Sequence, residues 1–83
     1  MMSFLIFQKI RNQLKKQNVV LKNKLFFDFI NKKLIIDNKE IPIQLVDLEK
    51  VIKAYEQLKN VSTIEVTPNK IIITYNNRTQ TIF

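Results

Sequence analysis

Apolar and polar positions recur along this chain with two different periods, and each period predicts an element. Over residues 4–17, Ile6, Phe7, Ile10 and Leu14 fall within one arc of about 100° when successive residues advance by about 100°. That pattern predicts an amphipathic helix. Lys9, Asn12, Gln13 and Lys16 are expected opposite the arc, Arg11 and Lys15 on a flank near Phe4, and Gln17-Asn18 at its end. A second helix is expected over residues 46–60, with a stripe of Leu48, Val51, Ile52, Tyr55 and Leu58. Asp47 suits its N-cap, with Val46 and Val51 as a hydrophobic staple. Glu49 in the first turn and Lys59 in the last suit the helix dipole, Glu49 and Lys53 make a favourable pair, and Asn60 fits a left-handed stop.

Elsewhere the period is two. Residues 24–30 read as a strand with Leu25, Phe27 and Phe29 on one face and Phe26 and Ile30 on the other, which suits a central strand covered on both sides. "KLIIDNKEIPI" reads as a hairpin with a two-residue loop at Asn38-Lys39, pairing Ile36 with Ile41 and Leu34 with Ile43. Pro42 has no N–H, so the second strand of that hairpin should be short or at an edge. In "STIEVTPNKIIITY", Ile64 and Val66 face Ile71 and Ile73, and the threonine-rich "RTQTIF" reads as an exposed edge. The order is helix, three strands, helix, three strands. It predicts an α+β domain, a small antiparallel sheet of two hairpin or meander units packed by an N-terminal helix and a central helix. The alternative is a winged helix, which needs residues 24–33 to be helical and 48–59 to read DNA. The outward face of 48–59 is Glu49, Lys50, Lys53, Glu56 and Gln57, without net charge, which counts against that version.

Composition narrows the chemistry. Eighty-three residues make one domain. A chain of this size buries only about 60–65% of its unfolded surface. Yet 46% of the residues are hydrophobic, so the core is rich or apolar surface meets a partner, and a homodimer is one way to cover it. With no cysteine and no histidine, disulfides, zinc fingers and thiol or imidazole catalysis are excluded, and a cytoplasmic setting is expected. With no glycine, the phosphate-cradling loops that need it are excluded as well. Asparagine takes glycine's usual place between the β-forming runs, because it tolerates positive φ better than other residues. The opening "MMSFLIFQKIRNQLKK" has four apolar residues in a row, too few for a signal or membrane segment.

The net charge is +7, in a sequence where Lys, Asn and Ile make up 34 of 83 residues. Those residues have AT-rich codons, so a low-GC bacterium, phage or plasmid would produce much of this composition without selection for charge. The charge is nevertheless uneven. Residues 1–42 carry nine cations against three acids, and residues 43–83 carry five against four. The candidate nucleic-acid-binding residues are therefore Lys9, Arg11, Asn12, Gln13, Lys15, Lys16, Lys22, Lys24, Lys32 and Lys33. Lys and Arg would contact phosphates, and the interspersed amides phosphates or base edges. The plain alternative is a solvated helix face. Aromatics do not interleave with these cations, so single-strand stacking is not expected.

No enzyme is expected. Asp37 and Glu40 flank a turn and should point to solvent, and Ser3 and Ser62 have no histidine to activate them. No metal or cofactor site is expected, since no acidic cluster exists. A membrane-surface role for the first helix is the weaker use of its apolar arc, because a small domain needs that area for its core. A protein-binding module, with Leu5 exposed and the last strand free to augment another sheet, is the rival to nucleic-acid binding.

Overall fold

The computed structural model describes residues 2–41, 46–54, 60–75 and 77–83, with the helical residues 2, 46–48 and 51 described by their backbone alone. The elements are helix α1 (Met2–Lys15), strands β1 (Leu25–Asp28), β2 (Lys33–Ile36) and β3 (Lys39–Glu40), helix α2 (Val46–Lys53), and strands β4 (Thr63–Val66), β5 (Ile71–Tyr75) and β6 (Arg78–Ile82). All six strands join one antiparallel sheet in the order β3-β2-β1-β4-β5-β6, a small α+β fold. The two strand units are thus one sheet, joined where β1 pairs with β4.

Helix α1 forms where the periodicity places it, and its arc of Ile6, Phe7, Ile10 and Leu14 is buried. Each such side chain contributes about 1.5–3 kcal/mol of transfer free energy. These side chains are therefore committed to the core. Among the described residues, no helix is long and apolar enough to cross a membrane. A Schellman stop ends α1: Val19 N–H donates to the Leu14 carbonyl, Asn18 N–H donates to that of Lys15, and Asn18 has φ 62°.

The sheet's side chains alternate. Leu25, Phe27, Leu34, Ile36, Ile64, Val66, Ile71 and Ile73 are buried with the α1 arc in one core cluster. The other face is only half-buried at Phe26, Ile35, Glu65 and Ile72. That corrects the expectation of a central strand covered on both sides: β1 is central in the sheet but packed on one face. Ile30 is exposed in the turn that follows. Residues 25–28 lie in a strand between β2 and β4, so the helix that a winged-helix arrangement needs there is not formed.

Ile64 pairs with Ile73 and Val66 with Ile71, as the alternation requires. The β2–β3 hairpin differs. Ile36 pairs with Lys39 and Ile35 with Glu40, so the loop is Asp37-Asn38 rather than Asn38-Lys39. Both loop residues have positive φ (50° and 71°), the mirror-image turn that matches strand twist. The register moves by two residues, so the faces are preserved; Ile41 N–H now donates to the Leu34 carbonyl. β3 is short and at an edge, and β6 is the opposite, exposed edge. Pro42 and Ile43 lie outside the described residues.

In α2, Ile52 is fully buried in the core cluster and α2 touches α1. The helix is described from Val46 to Lys53. The staple of Val46 and Val51, the Asp47 cap and the stripe positions Leu48, Tyr55 and Leu58, like Lys59, lie outside the described side chains. Asn60 takes φ 61°.

Candidate nucleic-acid interface

The ten candidate residues separate into two groups. In the first, the helical turn of about 100° per residue sets Arg11 and Lys15 on one flank of the outward arc and Lys9 and Lys16 on the other, with Asn12 between them. Lys9, Asn12, Lys15 and Lys16 are exposed, whereas Arg11 and Gln13 are half-buried. Gln13 therefore borders the core-facing arc rather than standing opposite it. Helix α1 contains no acidic residue. Among the described residues, no ion pair involves Arg11, Lys15 or Lys16.

The second group is interleaved with acids. Lys24 approaches Glu65 at 3.8 Å on the half-buried sheet face. Lys32 donates to Glu49 at 2.7 Å, and Glu49 also holds Lys53 at 3.1 Å, the pair expected four residues apart. The Lys32 hydrogen bond, opposed by partial burial and aided by Lys53, holds the Glu49 carboxyl below its ordinary range. Lys33 pairs across the ladder with Asp28. Partial burial pushes the Asp28 carboxyl up, but the Asn31 side chain, the N–H groups of Asn31 and Ile30, and the Lys33 charge bring it below the usual value.

Asp37 is the residue whose role the sequence concealed. It does not simply point to solvent: its carboxylate accepts the backbone N–H groups of Lys22, Asn23 and Lys24 at 3.0, 2.8 and 3.0 Å. Partial burial raises its pKa, and these three N–H groups with the nearby Lys22 charge more than reverse that. Asp37 thus ties the segment leading into β1 to the β2–β3 turn. A hollow of about 410 Å³ beside it brings Lys22 and Lys39 together with Val20 and Ile41. A carboxylate held ionised in this way is poorly placed to exchange protons near neutral pH. The only local signal for its role is the Asp-Asn pair between two β-forming runs; its three donors are 13–15 residues away.

The folded chain therefore spreads Lys9, Arg11, Asn12, Lys15 and the adjoining Lys16 across the outward half of α1, and sets Lys22, Lys24, Lys32 and Lys33 beside acids elsewhere. Among the described residues, no three acidic side chains gather as metal ligands would. The chain matches no family model, no curated protein and no solved structure.

Proposed function

We propose that this is a non-catalytic nucleic-acid-binding protein that contacts the phosphate backbone through the outward face of α1. The observation that carries this reading is α1 and the turn that follows it, with Lys9, Arg11 and Lys15 on the helix, Lys16 just after it, and no acid over residues 2–16. The exposed residues Lys9, Lys15 and Lys16 supply ammonium groups, the half-buried Arg11 a guanidinium, and Asn12 an amide between them. Lys22, Lys24, Lys32 and Lys33 serve the fold more than the ligand. Binding of this kind is tolerant of sequence. In the same reading α2 packs beside α1 as a second cover on the sheet, and the protein works in the cytoplasm of a low-GC bacterium or from a phage or plasmid.

A second reading, a protein-interaction module, is favoured by Phe4 and Leu5, which are 49% and 57% exposed at the start of the same helix. Titration of a labelled duplex and a labelled single strand separates the two. Three to four phosphate contacts predict a loss of affinity of about 40-fold to 150-fold between about 50 and 200 mM salt. The triple variant Arg11→Gln, Lys15→Gln, Lys16→Gln should bind weakly at low salt and melt like the parent. Absence of binding at low salt, or a response flat with salt, removes the nucleic-acid reading.

A further inference from the structure

The sheet has two edges, and only one of them is guarded. At one end, β3 is two residues long, and both Lys39 and Glu40 are exposed and charged. At the other, β6 runs for five residues and holds an unbroken register with β5 from Arg78 to Ile82. It contains no proline, no acid and no residue of positive φ, so neither a missing N–H nor a left-handed bulge interrupts it. Its one charge is Arg78, at the end. Natural sheets block such an edge with charge, proline, a bulge or brevity, and β6 has little of any of these.

The ladder shows which groups are unused. Tyr75 pairs with Arg78 across a two-residue connection, so those two form an inward hydrogen-bonded pair. Bonding alternates along an antiparallel ladder, so the N–H and C=O groups of Thr79 and Thr81 point away from β5. The sequence around them, Thr79-Gln80-Thr81, reads the same in both directions.

We propose that β6 is a self-association edge, at which a second copy of this chain adds its own β6 antiparallel and continues the sheet. A two-fold axis through Gln80 sets Thr79 opposite Thr81 of the second copy, and the reverse. The N–H groups of both threonines in each copy then donate to the threonine carbonyls of the other, making four main-chain hydrogen bonds. Threonine pairs across strands are favourable. Arg78 falls opposite Ile82 of the second copy, which keeps the two guanidinium groups about 14 Å apart along the strands. That spacing matters in a chain of net charge +7, whose copies would repel through the α1 face.

An antiparallel edge pairing requires an axis normal to the sheet, so both α1 helices lie on the same side of the extended sheet. α1 touches β4. Five strand spacings separate the two β4 strands, about 24 Å. The dimer presents two basic helices side by side to one polyanion; that consequence rests on the nucleic-acid reading, whereas the association itself does not.

Light scattering in high salt without nucleic acid tests the edge. From about 10 µM to about 1 mM the mass should rise from 9.9 kDa toward twice that. Thr81→Pro removes an outward N–H and no β5 bond, so it should fold and associate at least about 10-fold more weakly. A mass of 9.9 kDa throughout, or a Thr81→Pro variant that associates like the parent, overturns the proposal. Should that variant not fold, exchange of the Thr79 and Thr81 amides in the parent chain decides. Protection that rises with concentration supports the edge, and protection independent of it overturns the edge. A monomer that still binds duplex would remove the dimer and leave the α1 reading standing.

Discussion

Arg11, Lys15 and Lys16 at the end of α1, and the four lysines of segment 22–33, come from neighbouring stretches of chain, and the fold uses them in opposite ways. The helical cations stand on an element without a single acid. Each lysine of the later segment has an acid beside it: Lys22 has Asp37, Lys24 has Glu65, Lys32 has Glu49, and Lys33 has Asp28. Charge counted along a sequence is therefore not a field. The acids that matter are three-dimensional neighbours, and Glu65 is far from Lys24 until β4 pairs with β1.

The sharpest way to break this contrast is at Asp37. Asp37→Ala removes the acceptor of three N–H groups, two of them open to water, and should cost about 1–2 kcal/mol of stability, read from denaturant unfolding. A loss below about 0.5 kcal/mol would mean that solvent replaces the carboxylate and that the second region is not organised by its acids.

Next comes the counterpart of the α1 variant. Lys22→Gln, Lys24→Gln and Lys33→Gln remove as much charge as Arg11→Gln, Lys15→Gln and Lys16→Gln. They should nevertheless change duplex affinity by less than about 3-fold, whereas the α1 triple should lose at least about 10-fold. Equal losses in the two triples, in titrations at matched salt, would erase the distinction and restore the wider patch.

The smallest effect separates the regions by pH. Asp28, Asp37 and Glu49 have folded pKa values below their ordinary 3.8, 3.8 and 4.5. The unfolded chain thus takes up protons first as pH falls, so the stability these groups contribute is present above about pH 5 and is lost progressively from there down through their lowered folded pKa values. Thermal melts should be flat above that window and fall within it, and Asp37→Asn should fall less. α1 has no acid to titrate, so duplex affinity should stay constant over about pH 5–7 while the fold holds. A pH-dependent affinity in that range would implicate groups outside the helix.

The elements that could be read from the sequence were those whose cause is local. Ile6, Phe7, Ile10 and Leu14 repeat with the helical period, and Ile64, Val66, Ile71 and Ile73 with the strand period, and all eight are buried. Asn18 and Asn60 take left-handed positions because their side chains tolerate them. The errors arose where the cause is distant. The β2–β3 register depends on Asp37 sitting in the turn, where its carboxylate meets donors 13–15 residues away. Phe26 resembles a core residue in sequence, but only the completed sheet shows that the helix packs on the other side. For the candidate site the helix surface was legible, while the four later lysines were not, because their acid partners come from other strands or from α2.

The strand order carries one more consequence, for how the molecule assembles. Among the described residues, five ladders build the sheet, and four of them join consecutive strands. Among these ladders, β1 with β4 is the one that closes a long loop, from residue 28 to residue 63. The chain can zip its first three strands and its last three independently, each from a tight turn. The slow search is confined to one seam, where Phe27 meets Ile64. Refolding speed should therefore respond to changes at that seam, while changes near the Asn77 turn should mainly alter how fast the last strand comes away.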